Sequence, residues 1–135
     1  MNFHQRMCVF RVFVLTGLLT LLGSVAGAVD VPNRNLAVEE QAMRNAREAI
    51  AQKNWARAAQ LLEAHVKAYP EDADAHNLIG YTQRHLGQFD LSLSAYERAL
   101  AIDPKHIGAH EYMGMLMLTL GQRDRAVQLL RNLEQ

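Results

Sequence analysis

Part of this 135-residue chain repeats every 34 residues, and that period constrains the fold more than any other feature. Pro70 and Pro104 stand one period apart, as do His76 and His110, Gly80 and Gly114, and Gly87 and Gly121. Trp55 maps onto Phe89, Leu62 onto Tyr96 and then Leu130, and Ala58 onto Ser92 and then Ala126. A fixed period in this range signals stacked copies of one supersecondary unit, none of which can bury its apolar face alone. Each copy touches its neighbours, and the stack offers extended surface to partners.

The N-terminal stretch lies outside the repeat. Val12–Val29 carries no charge, and its apolar run Val12–Leu22 follows Arg6 and Arg11. Small residues come next, with Ala26 and Ala28 in an A-x-A arrangement. A basic region, a short apolar core and a small-residue cleavage site describe a secretory signal over residues 1–28. Left uncleaved, the 18 uncharged residues would just reach the lower limit of a membrane span. In both cases the arginines stay cytoplasmic and the repeats are exported, so a periplasmic location is expected. Any membrane contact would run through this segment alone. No L-x-x-C lipoprotein box is present.

Removing residues 1–28 takes Lys+Arg from 14 to 12 and leaves all 14 Asp+Glu, a net charge of −2. That balance gives no reason to expect nucleic acid as a partner. Cys8, the only cysteine, leaves with the signal, so disulfides and thiolate chemistry are not expected in the remainder.

The remaining pattern is helical. Residues 29–36 hold a proline and two asparagines and read as a flexible leader. A first helix is expected from about Ala37 to Gln52. The second places Trp55, Ala59, Leu62, Val66 and Tyr69 on one stripe and stops at Pro70. Asp72 is a suitable N-cap for the third, and Gly87 suits a left-handed residue just past its end. A fourth helix lines up Phe89, Leu93, Tyr96 and Leu100. A fifth runs from about Ile107 to Leu120, and a sixth from about Arg123 to the last residue. Short turns make neighbours antiparallel, giving three stacked hairpins in an all-α solenoid over residues 37–135. Gly80 and Gly114 fall inside helices, where glycine costs roughly 0.5–1 kcal/mol relative to alanine, so a neighbour is expected to approach closely at both.

These residues resemble the tetratricopeptide repeat family. The copy at 73–106 matches best, with Gly80, Gly87, Phe89, Tyr96, Ala99, Leu100 and the closing Asp103-Pro104 in register. It departs from the family with His76 in place of Trp, Gln83 in place of Tyr and Ser92 in place of Ala. The copy at 39–72 matches mainly through Trp55, Ala58, Leu62 and Pro70, and the copy at 107–135 stops before a closing proline. With its export signal, the chain looks like the small tetratricopeptide proteins of bacterial periplasms. The resemblance implies a right-handed superhelix whose concave face, lined by the first helix of each repeat, docks peptides or partner helices. In this chain that face would hold Met43, Arg47, Asn77, Tyr81, Arg84, His85, Glu111 and Met115, an amphipathic set with two guanidinium forks. Some relatives clamp a C-terminal carboxylate; at the matching places Met43, Arg47, Leu78, Gly108 and Tyr112 offer one suitable charge, Arg47, and a clamp is not expected.

Other chemistry is weaker. His106, His110, Met113 and Met117 share one face of the fifth helix and would suit Cu(I), making a periplasmic copper-handling protein the runner-up reading. In this register, however, His110, Met113 and Met117 occupy core positions, so no metal site is assigned and no cofactor is expected. No nucleophile elbow, H-E-x-x-H or phosphate-cradling loop is present, and no catalytic residue is assigned. His65 and His85 read as isolated. Tyr112–Leu120 is apolar at all but two positions, so more than one face of its helix should be covered. Leu129, Leu130 and Leu133 would lie at an open edge, where a second copy, a partner or a continuation of the chain beyond the given sequence would pack. The sequence thus predicts an exported, non-catalytic protein-interaction module or scaffold, with a structural subunit of an envelope complex as a further alternative.

Overall fold

The computed structural model describes residues 34–133; the signal and most of the leader expected from the sequence lie outside that range. Six helices follow one another: α1 Arg34–Ala51, α2 Trp55–Ala68, α3 Ala73–His85, α4 Phe89–Ile102, α5 Ile107–Thr119 and α6 Arg123–Leu133. No strand occurs among the described residues, and no helix among them is long and apolar enough to cross a membrane. Consecutive helices pack as hairpins α1–α2, α3–α4 and α5–α6, and α3 also reaches α5. Helix α1 begins three residues before the expected Ala37, so Arg34–Leu36 is helical and not leader.

The turns repeat the period atom by atom. In each hairpin the N–H three residues past the first helix bonds to the carbonyl five residues back: Asn54 to Ala49, Gln88 to Gln83 and Gln122 to Met117. Such a motif requires a left-handed residue just past the helix. Gly87 and Gly121 provide it at φ +73° and +74°. Lys53 stands at the equivalent place in the first hairpin and is forced to φ 57°. Helix starts are capped by side chains: Asn54 accepts from Arg57 N–H, Asp72 from Ala75 N–H, and the His106 ring from Ala109 N–H.

Two apolar clusters form the core. One joins Met43, Ala46, Leu62 and Ala75, and the other joins Tyr96, Met113, Leu116, Met117 and Ala126. The two glycines expected to mark close approaches differ. A Cβ on Gly80 would stand 2.5 Å from the Tyr96 ring, whereas one on Gly114 would meet nothing within 4 Å. Tyr96 fills the first position, and its counterpart Leu130 is turned out to solvent, 59% exposed. Ser92, in the slot usually held by alanine, donates its hydroxyl to the Gly80 carbonyl at 2.7 Å. The repeated histidines act as latches: Nε2–H of His76 donates to the Pro70 carbonyl, and that of His110 to the Pro104 carbonyl, both at 2.9 Å.

Candidate functional site

A stripe along α3 organises the accessible face. Asp74, Tyr81 and His85 lie at i, i+7 and i+11, so a 1.5 Å rise per residue spreads them over about 16 Å on one side of the helix. Chemistry changes along its length, from acidic at the α3 start to aromatic and basic at its end.

At the acidic end, α1 and the α2–α3 turn wall a cleft of about 850 Å³. Its lining includes six carboxylates, Glu39, Glu40, Glu71, Asp72, Asp74 and Asp103, against Arg47 and His106. Arg47 Nη2 stands 3.6 Å from Asp74 Oδ2, and the His106 Nε2–H donates to Asp74 Oδ1 at 3.0 Å. Asp74 thus links α1 to the cap of α5. The expected pair of guanidinium forks is therefore corrected: Arg47 already faces a carboxylate, and the cleft around it is acidic.

Deeper in the same wall, His65 is buried, and its Nε2–H donates to Asp72 Oδ2 at 2.7 Å while Asp72 Oδ1 caps α3. Glu39 joins them, with one potential ligand atom from each residue inside 4.8 Å. His65 also packs on Tyr69, so it is not isolated. With both carboxylate oxygens of Asp72 engaged, the cluster ties the end of α2 to the start of α3.

At the other end the rings collect. Trp55 stacks on His85 at 4.2 Å with planes 5° apart, Tyr81 meets His85 at 4.5 Å and Tyr112 at 5.2 Å, and the Arg84 guanidinium lies 5.5 Å over the Tyr81 ring. Desolvation, reinforced by the nearby charges of Arg84 and Lys53, lowers the His85 imidazole below its usual 6.5. Beneath this patch Tyr96 is fully buried, and burial pushes its phenol up to about 12.

Of the eight residues assigned to the concave face, Arg47, Tyr81, Arg84 and His85 reach solvent along this stripe. Met43 belongs instead to the core between α1, α2 and α3, and Asn77 is buried against Gly108 where α5 crosses α3. Both follow from packing: the inner edge of a helix face is covered as soon as a neighbour crosses it. Glu111 and Met115 open onto a separate apolar notch around Gly114 at the α5–α6 end. Among the edge leucines, Leu129 packs on the core and is corrected to a core position, Leu130 is exposed, and Leu133 lines the notch. The expected cover on more than one face of α5 is half met, since Met113, Leu116 and Met117 are buried but Met115, Leu118 and Leu120 are exposed. The copper face is also core: His110 is spent on the Pro104 carbonyl, and Met113 and Met117 pack against Tyr96. Sequence reading missed Trp55, Asp74 and Tyr112 as groove residues. Trp55 stands on the apolar stripe of its helix, and nothing in its spacing reveals the ring stack.

The sequence pattern of the tetratricopeptide repeat matches residues 43–107. The chain carries tetratricopeptide repeats over that span. No curated protein matches it. Among solved structures, the tetratricopeptide array is similar to MamA (residue 41 to the end) from Desulfovibrio magneticus RS-1, with TM-score 0.67 and 25% identity over 77% of this chain and 56% of that one. It is similar to the TPR2B domain of yeast Sti1 in its complex with pHsp70, with TM-score 0.68 and 19% identity over 70% of this chain and 76% of that one. A chain of the CopN–Scc3 complex superposes with TM-score 0.65 and 15% identity, covering 77% and 59%. The chain spans a little over half the length of the MamA structure. The tetratricopeptide fold is generally a non-catalytic interaction scaffold, and this array has that fold.

Proposed function

We propose that this protein is an exported, non-catalytic docking module that binds an extended or helical segment of another protein along the α3 stripe. The observation that carries the reading is the chemical polarity of that stripe, from a cleft with six carboxylates to the Trp55–His85–Tyr81 stack under Arg84. Opposite ends of unlike chemistry give a bound segment a direction. A ligand with Lys or Arg at one end and an aromatic or aliphatic residue about 16 Å away would meet both, the cation in the cleft and the apolar side chain on the rings. Protein or peptide partners are present in the Sti1 and CopN structures, and a partner of that class fits this face. The leading Arg6, Arg11 and Val12–Leu22 pattern supports export to a periplasm.

Fluorescence anisotropy with a labelled Lys-Lys-Ala-Ala-Ala-Ala-Phe-Leu peptide tests this reading. Binding should weaken at least tenfold in Asp74→Lys and in Tyr81→Ala, and should fall steeply with salt in the wild type. Equal binding of a Glu-Glu version of the peptide would refute the acidic-cleft assignment. N-terminal sequencing of the protein recovered from the cell tests the expected cleavage after Ala28.

A further inference from the structure

The two ends of the helix stack have opposite chemistry. Where α3 meets the hairpin before it, it presents Ala75, Leu78, Ile79 and Thr82. One period earlier, the same positions on α1 are Gln41, Arg44, Asn45 and Glu48, all exposed. These polar groups satisfy one another along α1: Gln41 donates to Asn45, Arg44 to Glu40 and Gln41, and Gln52 to Glu48. This face is therefore largely polar, with Val38 its exposed apolar exception beside Gln41 and Asn45.

The α5–α6 end is the reverse. Met115, Leu118, Val127 and Leu130 are all exposed large apolar residues, and Leu118 and Leu130 stand 57% and 59% open. One period earlier, Leu93 and Tyr96 at the positions of Val127 and Leu130 are packed into the core with α5. Gly114 leaves an open apolar notch beside them, where Tyr96 fills the equivalent place at Gly80.

We propose that a second copy of this chain covers the edge, with the α5–α6 edge of one copy packed on the same edge of the other about a two-fold axis. A head-to-tail stack would instead bring the polar α1 face onto the leucines, burying Arg44 and Glu48 without compensation, so the propagating arrangement is disfavoured. The like-to-like arrangement buries apolar surface on both sides and sets each projecting Leu130 against a facing notch. Charge agrees as well: Glu111 on α5 and Arg131 on α6 rim the edge, are exposed and have no partner among the described residues. Facing α5 of one copy with α6 of the other brings opposite signs together. The dimer carries two α3 stripes, so it would engage a divalent partner with avidity.

The test uses the full chain in light scattering after size exclusion and in cysteine cross-linking. The wild type should run as a dimer, and Leu130→Glu should weaken association at least about tenfold, because two leucines per dimer lose their burial. Leu130 is exposed, so the variant should keep the wild-type circular dichroism and melting temperature at low concentration. In a Cys8→Ser background, Leu130→Cys alone should cross-link with a short bismaleimide to a dimer and no further. A ladder that needs both Asn45→Cys and Leu130→Cys would overturn the two-fold arrangement in favour of head-to-tail stacking. A monomeric wild type, or association unchanged by Leu130→Glu, would overturn the self-association itself.

Discussion

Gly80→Ala and Gly114→Ala make a matched pair, because the two glycines share one register but not one environment. By helix propensity alone each substitution should stabilise by about 0.5–1 kcal/mol. At Gly114 a new Cβ meets nothing within 4 Å, so that gain should appear undiminished. At Gly80 the Cβ would stand 2.5 and 2.6 Å from Cε1 and Cδ1 of Tyr96. That ring is fully buried against Met113, Leu116 and Met117, so it cannot swing clear. Overpacking of this kind costs about 1–3 kcal/mol, leaving Gly80→Ala between neutral and about 2 kcal/mol destabilised. The two variants should therefore differ by about 1–3 kcal/mol, at about 4–8 °C of melting temperature per kcal/mol. Thermal and urea unfolding followed by circular dichroism, on a Leu130→Glu background that excludes association, measures the gap. Adding Tyr96→Leu should relieve the clash and make the Gly80→Ala effect non-additive. Equal stabilisation by both alanines would refute the assignment of Tyr96 as the occupant of the Gly80 gap.

Lys53→Gly should stabilise the first hairpin by about 1 kcal/mol, because it removes the strain of a side chain at φ 57° where the other hairpins have glycine; urea unfolding checks this. Asp72→Ala should cost more than Asn54→Ala in the same assay. Asn54 loses a cap worth about 1 kcal/mol, whereas Asp72→Ala also strands the buried His65 Nε2–H at a further cost of about 1–3 kcal/mol. Trp55 is the only tryptophan, and the stacked His85 is the residue whose charge it should report. The imidazole is lowered in the folded state, so the unfolded chain binds the proton more readily, and the stability conferred by neutral His85 is present above pH 6.5 and lost as pH falls through the folded value. A fluorescence titration should have its midpoint below 6.5, and His85→Ala should remove that transition.

The sequence by itself determined the architecture. Proline stops, capping residues and glycines recurring at one spacing specify helix–turn–helix units, because each acts on its own few residues of backbone. Asp72, Gly87 and Gly121 do in the structure what their local chemistry requires. The period also located the odd member, Lys53, once the left-handed position was known to recur. Only the tertiary structure decided the surfaces. Met43 and Asn77 read as groove residues until a neighbouring helix covered them, and Leu129 read as edge until it packed on the core. The acidity of the cleft comes from carboxylates on α1, α3 and two turns, which no linear pattern brings together. Gly80 and Gly114 are identical in sequence terms, yet one holds a tyrosine ring and the other an empty notch. What fills a gap depends on side chains distant along the chain, and packing, not periodicity, sets that.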